Sequence, residues 1–178
     1  MGLHRCPSGF ALRFGQISIR HKNIVVEAPP RVVFKALTDE KEIVKWLAQE
    51  ARTDPRPGGA FEFKYHWAEK ELPSVATGRI LELIPDKRLS YDYALTRSGS
   101  GASGAGSLFP DVTSSVVTWT LEELPDGKTR VTMVHSGIVK DAYDRLDGAW
   151  GYWTGQLVWH RNAMVRRPNW LVTGRTWV

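Results

Sequence analysis

Residues 26–47 read VEAPPRVVFKALTDEKEIVKWL, and they set the order of the first elements of the fold. Residues 16–27, which overlap the start of this stretch, are rich in β-branched side chains, and this predicts a strand there. Pro29 and Pro30 end that strand and suit the start of a helix, because the first helical turn tolerates proline. Apolar residues then recur at intervals of three and four, which predicts a helix over residues 31–38.

A second short helix is predicted directly after the first. Asp39 and Glu42 have the spacing of a helix-capping pair. Ile43, Trp46 and Leu47 then fall on one helical stripe, so we expect them to face the core. The stretch as a whole predicts one strand followed by two short helices.

A run of strands is predicted after the two helices, because apolar and polar residues alternate there. Residues 61–67 read FEFKYHW, with the aromatic side chains on one face and His66 on the other. Tight turns are predicted at residues 85–86 and 125–127, where proline is followed by aspartate. The remaining strands are predicted over residues 75–84, 89–95, 113–122 and 129–135.

The spacing of apolar residues becomes helical again over residues 139–165. Large apolar side chains follow one another there at intervals of four, three, four and seven, which predicts one long helix ended by Pro168. The residues at these intervals are Leu146, Trp150, Trp153, Leu157 and Met164. Antiparallel strands plus one long amphipathic helix predict an α+β fold, in which the sheet curls around the helix to bury it.

Length and composition predict one domain over residues 17–165. The chain has 178 residues, of which 42% are hydrophobic and 24% charged, as in an ordinary globular domain. We expect an N-terminal tail over residues 1–16 and a C-terminal extension over residues 166–178. Residues 98–107 consist almost entirely of Gly, Ser and Ala, which predicts a flexible loop inside the domain.

The charge distribution argues against a nucleic-acid partner. The net charge is +5, but residues 1–26 and 148–178 each carry four basic and no acidic residues. Residues 27–147 therefore hold 16 basic against 19 acidic residues, a net charge of −3. The body of the protein is not a basic surface for phosphates, so no nucleic-acid binding is expected.

The single cysteine, Cys6, excludes a disulfide within the chain and any site built from several cysteines. A reducing, cytoplasmic location is the expectation that follows. No run of about 18 apolar residues is present, so no membrane span is expected. The sequence also lacks a metal-ligand spacing and a phosphate-binding loop, and we expect neither a metal nor a cofactor.

Four segments closely resemble the heat-shock-protein-90 ATPase activator homologue-like family of the SRPBCC, or START-like, superfamily. They are residues 26–47, ARTDPRPGGAFEF (51–63), TGRILELIPDKRLSYDY (77–93) and TRVTMVHSGI (129–138). The resemblance covers about residues 17–165. It implies a helix-grip fold, as in START-like and birch-pollen-allergen-like proteins, with a curved antiparallel sheet around a long C-terminal helix and two short helices after the first strand.

The resemblance implies a cavity between the sheet and the C-terminal helix, of the kind that holds hydrophobic small molecules in the superfamily. We therefore predict that the chain binds a hydrophobic or aromatic small molecule, with aromatic walls and few polar groups. The same side chains would fill the core of a protein without a cavity, and the sequence leaves both roles open. The residues are Trp46, Phe63, Tyr65, Trp67, Tyr91, Tyr93, Trp119, Met133, His135, Trp150, Trp153 and Leu157.

Two other functions remain open at this point. One is a co-chaperone-type interaction module linked to the stress response, acting through the outer face and the Arg-rich C-terminal end with a chaperone as partner. The other is a small cyclase or hydrolase that uses the same cavity. A homodimer is also an open alternative, because the C-terminal aromatic residues need cover.

His135 is the histidine that the pattern places inside the domain, because it shares a strand face with Val131 and Met133. It is either a structural histidine bonded to a neighbour or a group that orients a ligand or transfers a proton. His160 is predicted to lie at the rim of the last helix. No nucleophile–base pair follows from spacing, so catalytic residues are not assigned.

Overall fold

The computed structural model describes residues 17–65, 74–97, 112–139 and 150–159. Seven strands are described: β1 (Ile17–Val26), β2 (Glu50–Thr53), β3 (Ala60–Tyr65), β4 (Ser74–Ile84), β5 (Arg88–Arg97), β6 (Val112–Leu124) and β7 (Lys128–Val139). The helices are α1 (Pro30–Thr38), α2 (Glu40–Ile43) and α3 (150–159). The α+β helix-grip architecture that the sequence predicts is confirmed.

The strands form one antiparallel sheet in the order β1-β7-β6-β5-β4-β3-β2. Each hairpin from β2 to β7 pairs strands that follow one another in the chain, and β1 closes the order by pairing with β7. The register shifts within the β1–β7, β4–β5 and β5–β6 pairs. Such irregularities increase strand twist and bend, so they help the sheet curl toward α3.

The first two helices begin as the sequence predicts, but the second is shorter than its apolar stripe. Pro30 is the first residue of α1, and the Asp39 carboxylate accepts a hydrogen bond from the Lys41 amide at the start of α2. Helix α2 ends at Ile43, and Trp46 lies in the hydrogen-bonded turn that follows, where its amide donates to the Ile43 carbonyl. Trp46 is buried nonetheless, because its indole N–H donates to the Ala36 carbonyl at 2.9 Å.

Two elements differ from the sequence prediction. Strand β2 was not predicted, and it exists through its pairing with β3, in which Glu50 lies opposite Lys64. The final helix does not begin at Val139, because β7 continues to that residue. The predicted hairpin turns are confirmed, with Asp86 and Asp126 in the left-handed backbone region.

Some predicted features lie outside the described residues. They are the tail over residues 1–16, the loop over residues 98–107, the extension over residues 166–178, and His66, Trp67 and His160.

The core lies between the concave face of the sheet and α3. Phe61, Phe63 and Tyr65 point into it from β3, as their alternation predicts. From α3 it receives Trp150, Trp153 and Leu157, at helical intervals of three and four. Every second residue of the central strands is buried in the same way, among them Leu89, Tyr91, Tyr93, Leu95, Val117, Trp119, Leu121, Val131 and Met133.

Two glycines have opposite surroundings and make a matched test of the packing. A Cβ added at Gly78 would overlap the Asp92 carbonyl oxygen, so neighbouring backbone would have to move. A Cβ added at Gly155 in α3 would meet nothing within 4 Å.

We expect Gly78→Ala to lower the free energy of unfolding by about 1–3 kcal/mol, the usual cost of overpacking. Gly155→Ala should raise it by up to about 1 kcal/mol, because alanine favours helix more than glycine does. Urea denaturation monitored by circular dichroism measures both. Equal stability of the two variants would contradict the packing described at Gly78.

Candidate functional site

A continuous chain of hydrogen bonds joins α3 to three strands of the sheet. The Trp150 indole N–H donates to His135 Nδ1 at 2.9 Å. His135 Nε2 lies 2.8 Å from the Ser115 hydroxyl, and that hydroxyl donates to the Tyr93 backbone carbonyl at 2.9 Å. His135, Ser115 and the Trp150 side chain are all buried. These hydrogen bonds therefore connect α3 to β7, β6 and β5 in the interior.

The bonding pattern assigns one protonation state to His135. An indole nitrogen can only donate, so Nδ1 must be the unprotonated nitrogen that accepts from Trp150. Nε2 then carries the proton and donates to Ser115. Burial disfavours the charged imidazolium and lowers the pKa of His135 from 6.5 to about 4. The ring is neutral at physiological pH.

This geometry is that of a structural histidine. Both ring nitrogens of His135 are engaged by protein groups, and the side chain has no exposed surface. A proton-transfer role needs a nitrogen within reach of a substrate. His135 offers none in this arrangement, and its predicted role as a ligand contact stays a prediction.

Aromatic rings in edge-to-face and tilted contact fill the space around these hydrogen-bonded groups. Trp119 and Trp150 have centroids 5.7 Å apart, and Trp150 and Trp153 lie 5.1 Å apart. The series continues outward at both ends, to Trp46 at 6.2 Å from Trp119 and to Tyr65 at 5.1 Å from Trp153. Edge-to-face pairs each add about 0.5–1.5 kcal/mol beyond area burial. The centre of the domain is thus packed with rings.

A cavity of about 510 Å³ lies where this packing ends, between the segment after α2, β3 and α3. Tyr65 and Trp153 form its inner wall, and Trp46 and Leu47 lie on the side of the α2 segment. Tyr152 and Gln156, one helical turn apart, line it from α3. The other lining residues are Val44, Lys45, Ala48 and Gln49. The site combines aromatic walls with several polar groups.

Lys45 contributes a cation to this cavity, but that charge is balanced. Its ammonium group lies 2.7 Å from the Glu42 carboxylate, and the Glu42 side chain is largely buried. A paired cation attracts an anionic ligand less than an isolated one does. Electrostatics at the cavity therefore do not favour an anion strongly.

Three of the twelve predicted binding residues line this cavity: Trp46, Tyr65 and Trp153. Eight others lie in the packed interior behind it, namely Phe63, Tyr91, Tyr93, Trp119, Met133, His135, Trp150 and Leu157. The sequence analysis missed the polar lining residues Lys45, Gln49 and Gln156 and the aromatic Tyr152. Tyr152 and Gln156 lie four residues apart on the helix and next to Trp153, and this spacing is a signal that could have identified them.

Other depressions in the described part of the chain are lined mainly by charged and polar side chains. One of them, of about 860 Å³, is lined by Arg52, Arg79 and Asp92. Among the described residues, no three His, Cys, Asp or Glu side chains are grouped so as to hold a metal ion. No helix in the same residues has the length and apolar character needed to cross a bilayer.

The chain matches a known protein family. A family model described as Activator of Hsp90 ATPase homolog 1-like protein matches residues 27–159. No curated protein matches the chain.

Several solved structures are similar to it. Protein CV1439 from Chromobacterium violaceum shares 23% identity at a TM-score of 0.63, over 79% of this chain and 95% of that one. Protein MLL2253 from Mesorhizobium loti shares 25% identity at a TM-score of 0.61, over 84% of this chain and 99% of that one. The Aha1 dimer from Colwellia psychrerythraea shares 16% identity at a TM-score of 0.59, over 82% of this chain and 95% of that one.

The buried histidine predicts a specific dependence of stability on pH. Its pKa is about 4 in the folded protein and 6.5 when exposed, so between these values the unfolded chain binds the extra proton. The contribution of His135 to stability is complete above pH 6.5 and is lost as the pH falls toward 4. The total loss is about 3 kcal/mol.

Chemical denaturation between pH 7.5 and pH 4 measures this loss. The variant His135→Gln does not titrate at this position, so its stability should fall less steeply over the same range even though it starts lower. Identical slopes for the two proteins would show that His135 is not the titrating group.

Proposed function

The chain belongs to the family of Activator of Hsp90 ATPase homolog 1-like proteins, and on that premise we propose that it binds a hydrophobic or aromatic small molecule between the sheet and α3. The observation that carries the proposal is the cavity bounded by Tyr65, Trp153 and the segment after α2. Its volume of about 510 Å³ falls within the usual range of small-molecule sites. The proposal concerns this cavity and not the ring-filled centre of the domain.

Apolar contact would supply most of the binding free energy. The rings of Tyr65 and Trp153 pack against each other, with centroids 5.1 Å apart and a tilt of 31°, and both contribute to the inner wall of the cavity. Removing apolar surface from water contributes about 25 cal/mol per Å², before the costs of association. A flat, ring-containing molecule would cover the inner wall formed by Tyr65 and Trp153 most completely.

Polar side chains at the entrance would set the orientation of the molecule. Gln156 is half-buried on α3 and faces the α2 segment, where Lys45 and its partner Glu42 lie. An amide both donates and accepts hydrogen bonds. The entrance therefore suits a ligand with one polar end and an apolar body.

A second function, association of two copies of the chain, is favoured by two exposed aromatic side chains on α3. Tyr152 is 62% exposed and Trp159 is 68% exposed, and they lie seven residues apart, on one side of the helix. A similar structure is described as a dimer. We propose this as the alternative; no observation among the described residues favours a cyclase or hydrolase, which stays a prediction.

Blocking the cavity is the direct test of the small-molecule proposal. We expect Gln156→Trp to weaken binding of the neutral fluorescent probe N-phenyl-1-naphthylamine at least tenfold, because the larger side chain occupies the space. Arg130→Trp, which adds the same ring on the opposite face of the sheet, should bind the probe as the unmodified protein does. Equal binding by both variants would place the probe elsewhere and contradict the proposal.

The association proposal has its own test. Trp159→Ser should shift a concentration-dependent dimer to monomer in multi-angle light scattering, because it removes the more exposed of the two rings. A monomer at every concentration for the unmodified protein would contradict association.

A further inference from the structure

The hydroxyl of Tyr93 stands out among the buried side-chain polar atoms of the described residues. Its oxygen is buried and has no hydrogen-bond partner among the residues that the structure describes. Leaving a buried polar group without a partner costs about 1–3 kcal/mol. A phenylalanine would fill the same space without that cost, so packing alone gives no reason for the oxygen.

Neighbouring tyrosines show what a satisfied hydroxyl looks like here. Tyr91 lies two residues away on the same face of β5, and its oxygen accepts from the Trp119 indole N–H at 3.1 Å. The Tyr65 hydroxyl approaches the Tyr93 oxygen as a donor, and this contact raises the pKa of Tyr65 and lowers that of Tyr93. The contact falls short of full hydrogen-bond geometry, and the Tyr93 proton has no acceptor among the described residues. Burial raises the pKa of all three tyrosines well above the usual value, so they are neutral donors at physiological pH.

Tyr65 connects this hydroxyl pair to the cavity. Its side chain is part of the cavity wall, next to Trp153. The other side of the pair is closed by rings, since Tyr93 lies 5.3 Å from the His135 ring and 6.4 Å from that of Trp150. Tyr65 both lines the cavity and contacts the Tyr93 hydroxyl, so a group that enters the cavity reaches Tyr93 by passing Tyr65.

We propose that the hydroxyls of Tyr65 and Tyr93 form the polar inner end of the cavity, where the Tyr93 hydroxyl donates a hydrogen bond to a neutral acceptor oxygen, the carbonyl of an aromatic ketone or quinone. This inference rests on the proposed function, and it assigns the chemical class of the ligand. The apolar body of the molecule lies on Tyr65 and Trp153, and its carbonyl takes the hydrogen bond that Tyr93 lacks.

The ligand group is neutral because the described residues at the inner end supply hydroxyl donors but no cation to balance an anionic charge. Lys45 is the one cation among the described lining residues, and its charge is already paired with Glu42. Moving a carboxylate from water to an apolar site without a partner charge costs far more than a neutral hydrogen bond returns. A carbonyl oxygen accepts from phenols without that penalty.

Three probes of the same size separate these properties. 2-Acetylnaphthalene carries a carbonyl, 2-ethylnaphthalene has nearly the same shape without the oxygen, and 2-naphthoate carries a negative charge. Isothermal titration calorimetry or quenching of tryptophan fluorescence measures the dissociation constant of each. We expect the ketone to bind roughly three- to tenfold more tightly than the hydrocarbon, the range of one neutral hydrogen bond, and the anion to bind weakest.

The variant Tyr93→Phe tests the assigned group. It should remove the preference for the ketone and leave binding of 2-ethylnaphthalene unchanged, and its thermal stability should equal or exceed that of the unmodified protein. Tyr91→Phe removes the same atom from a hydroxyl that Trp119 already uses, so the preference for the ketone should persist in it. Stability measurements on both variants exclude loss of the fold as the cause.

The outcomes separate the inference from the function on which it rests. If the ketone and the hydrocarbon bind equally well, and Tyr93→Phe changes neither, the cavity binds small molecules but the assigned hydroxyl pair is wrong. Binding of the anion as tight as that of the ketone would overturn the neutral class. If none of the three probes binds, the inference and the small-molecule proposal both fall.

Discussion

The hydrogen bond from the Trp150 indole to His135 is the constraint on which the interior depends. Apolar packing is not directional, so ring contacts alone would allow α3 to rotate or slide over the sheet. The bond at 2.9 Å forms in one rotation and one position of the helix, and it continues through Ser115 to β5. Any other position would leave buried donors and acceptors unsatisfied, at about 1–3 kcal/mol each.

The position of the cavity follows from that anchored helix. Once Trp150 is held, Trp153 lies one turn later against Tyr65, and the ring packing ends there. Tyr152 and Gln156 then line the cavity opposite the segment after α2. The cavity is thus the space between an anchored helix and the short segment that follows α2.

The sequence predicted the fold and most of the buried residues, because alternation along strands and helical spacing report directly which side chains point inward. Strand β2 escaped prediction because residues 50–53 read EART, with Ala51 as their one apolar residue; their extended state depends on pairing with β3. The cavity wall was only partly predictable. Periodicity separates inward from outward, but it does not separate Tyr65 at the wall from Tyr91 in the packed interior, since both face the same way.

The two buried tyrosines of β5 can be told apart by their hydrogen-bond partners but not by their burial. Tyr91 and Tyr93 are alike in exposure and in the direction of their pKa shifts, and no sequence pattern distinguishes them. They differ in one respect: Trp119 uses the oxygen of Tyr91, whereas none of the described residues satisfies that of Tyr93. An unsatisfied donor beside a cavity wall lowers stability in the free protein and becomes favourable when an acceptor arrives. A ligand with an acceptor group therefore gains binding free energy that a ligand without one does not. A core in which every polar group is already hydrogen-bonded cannot distinguish the two in this way.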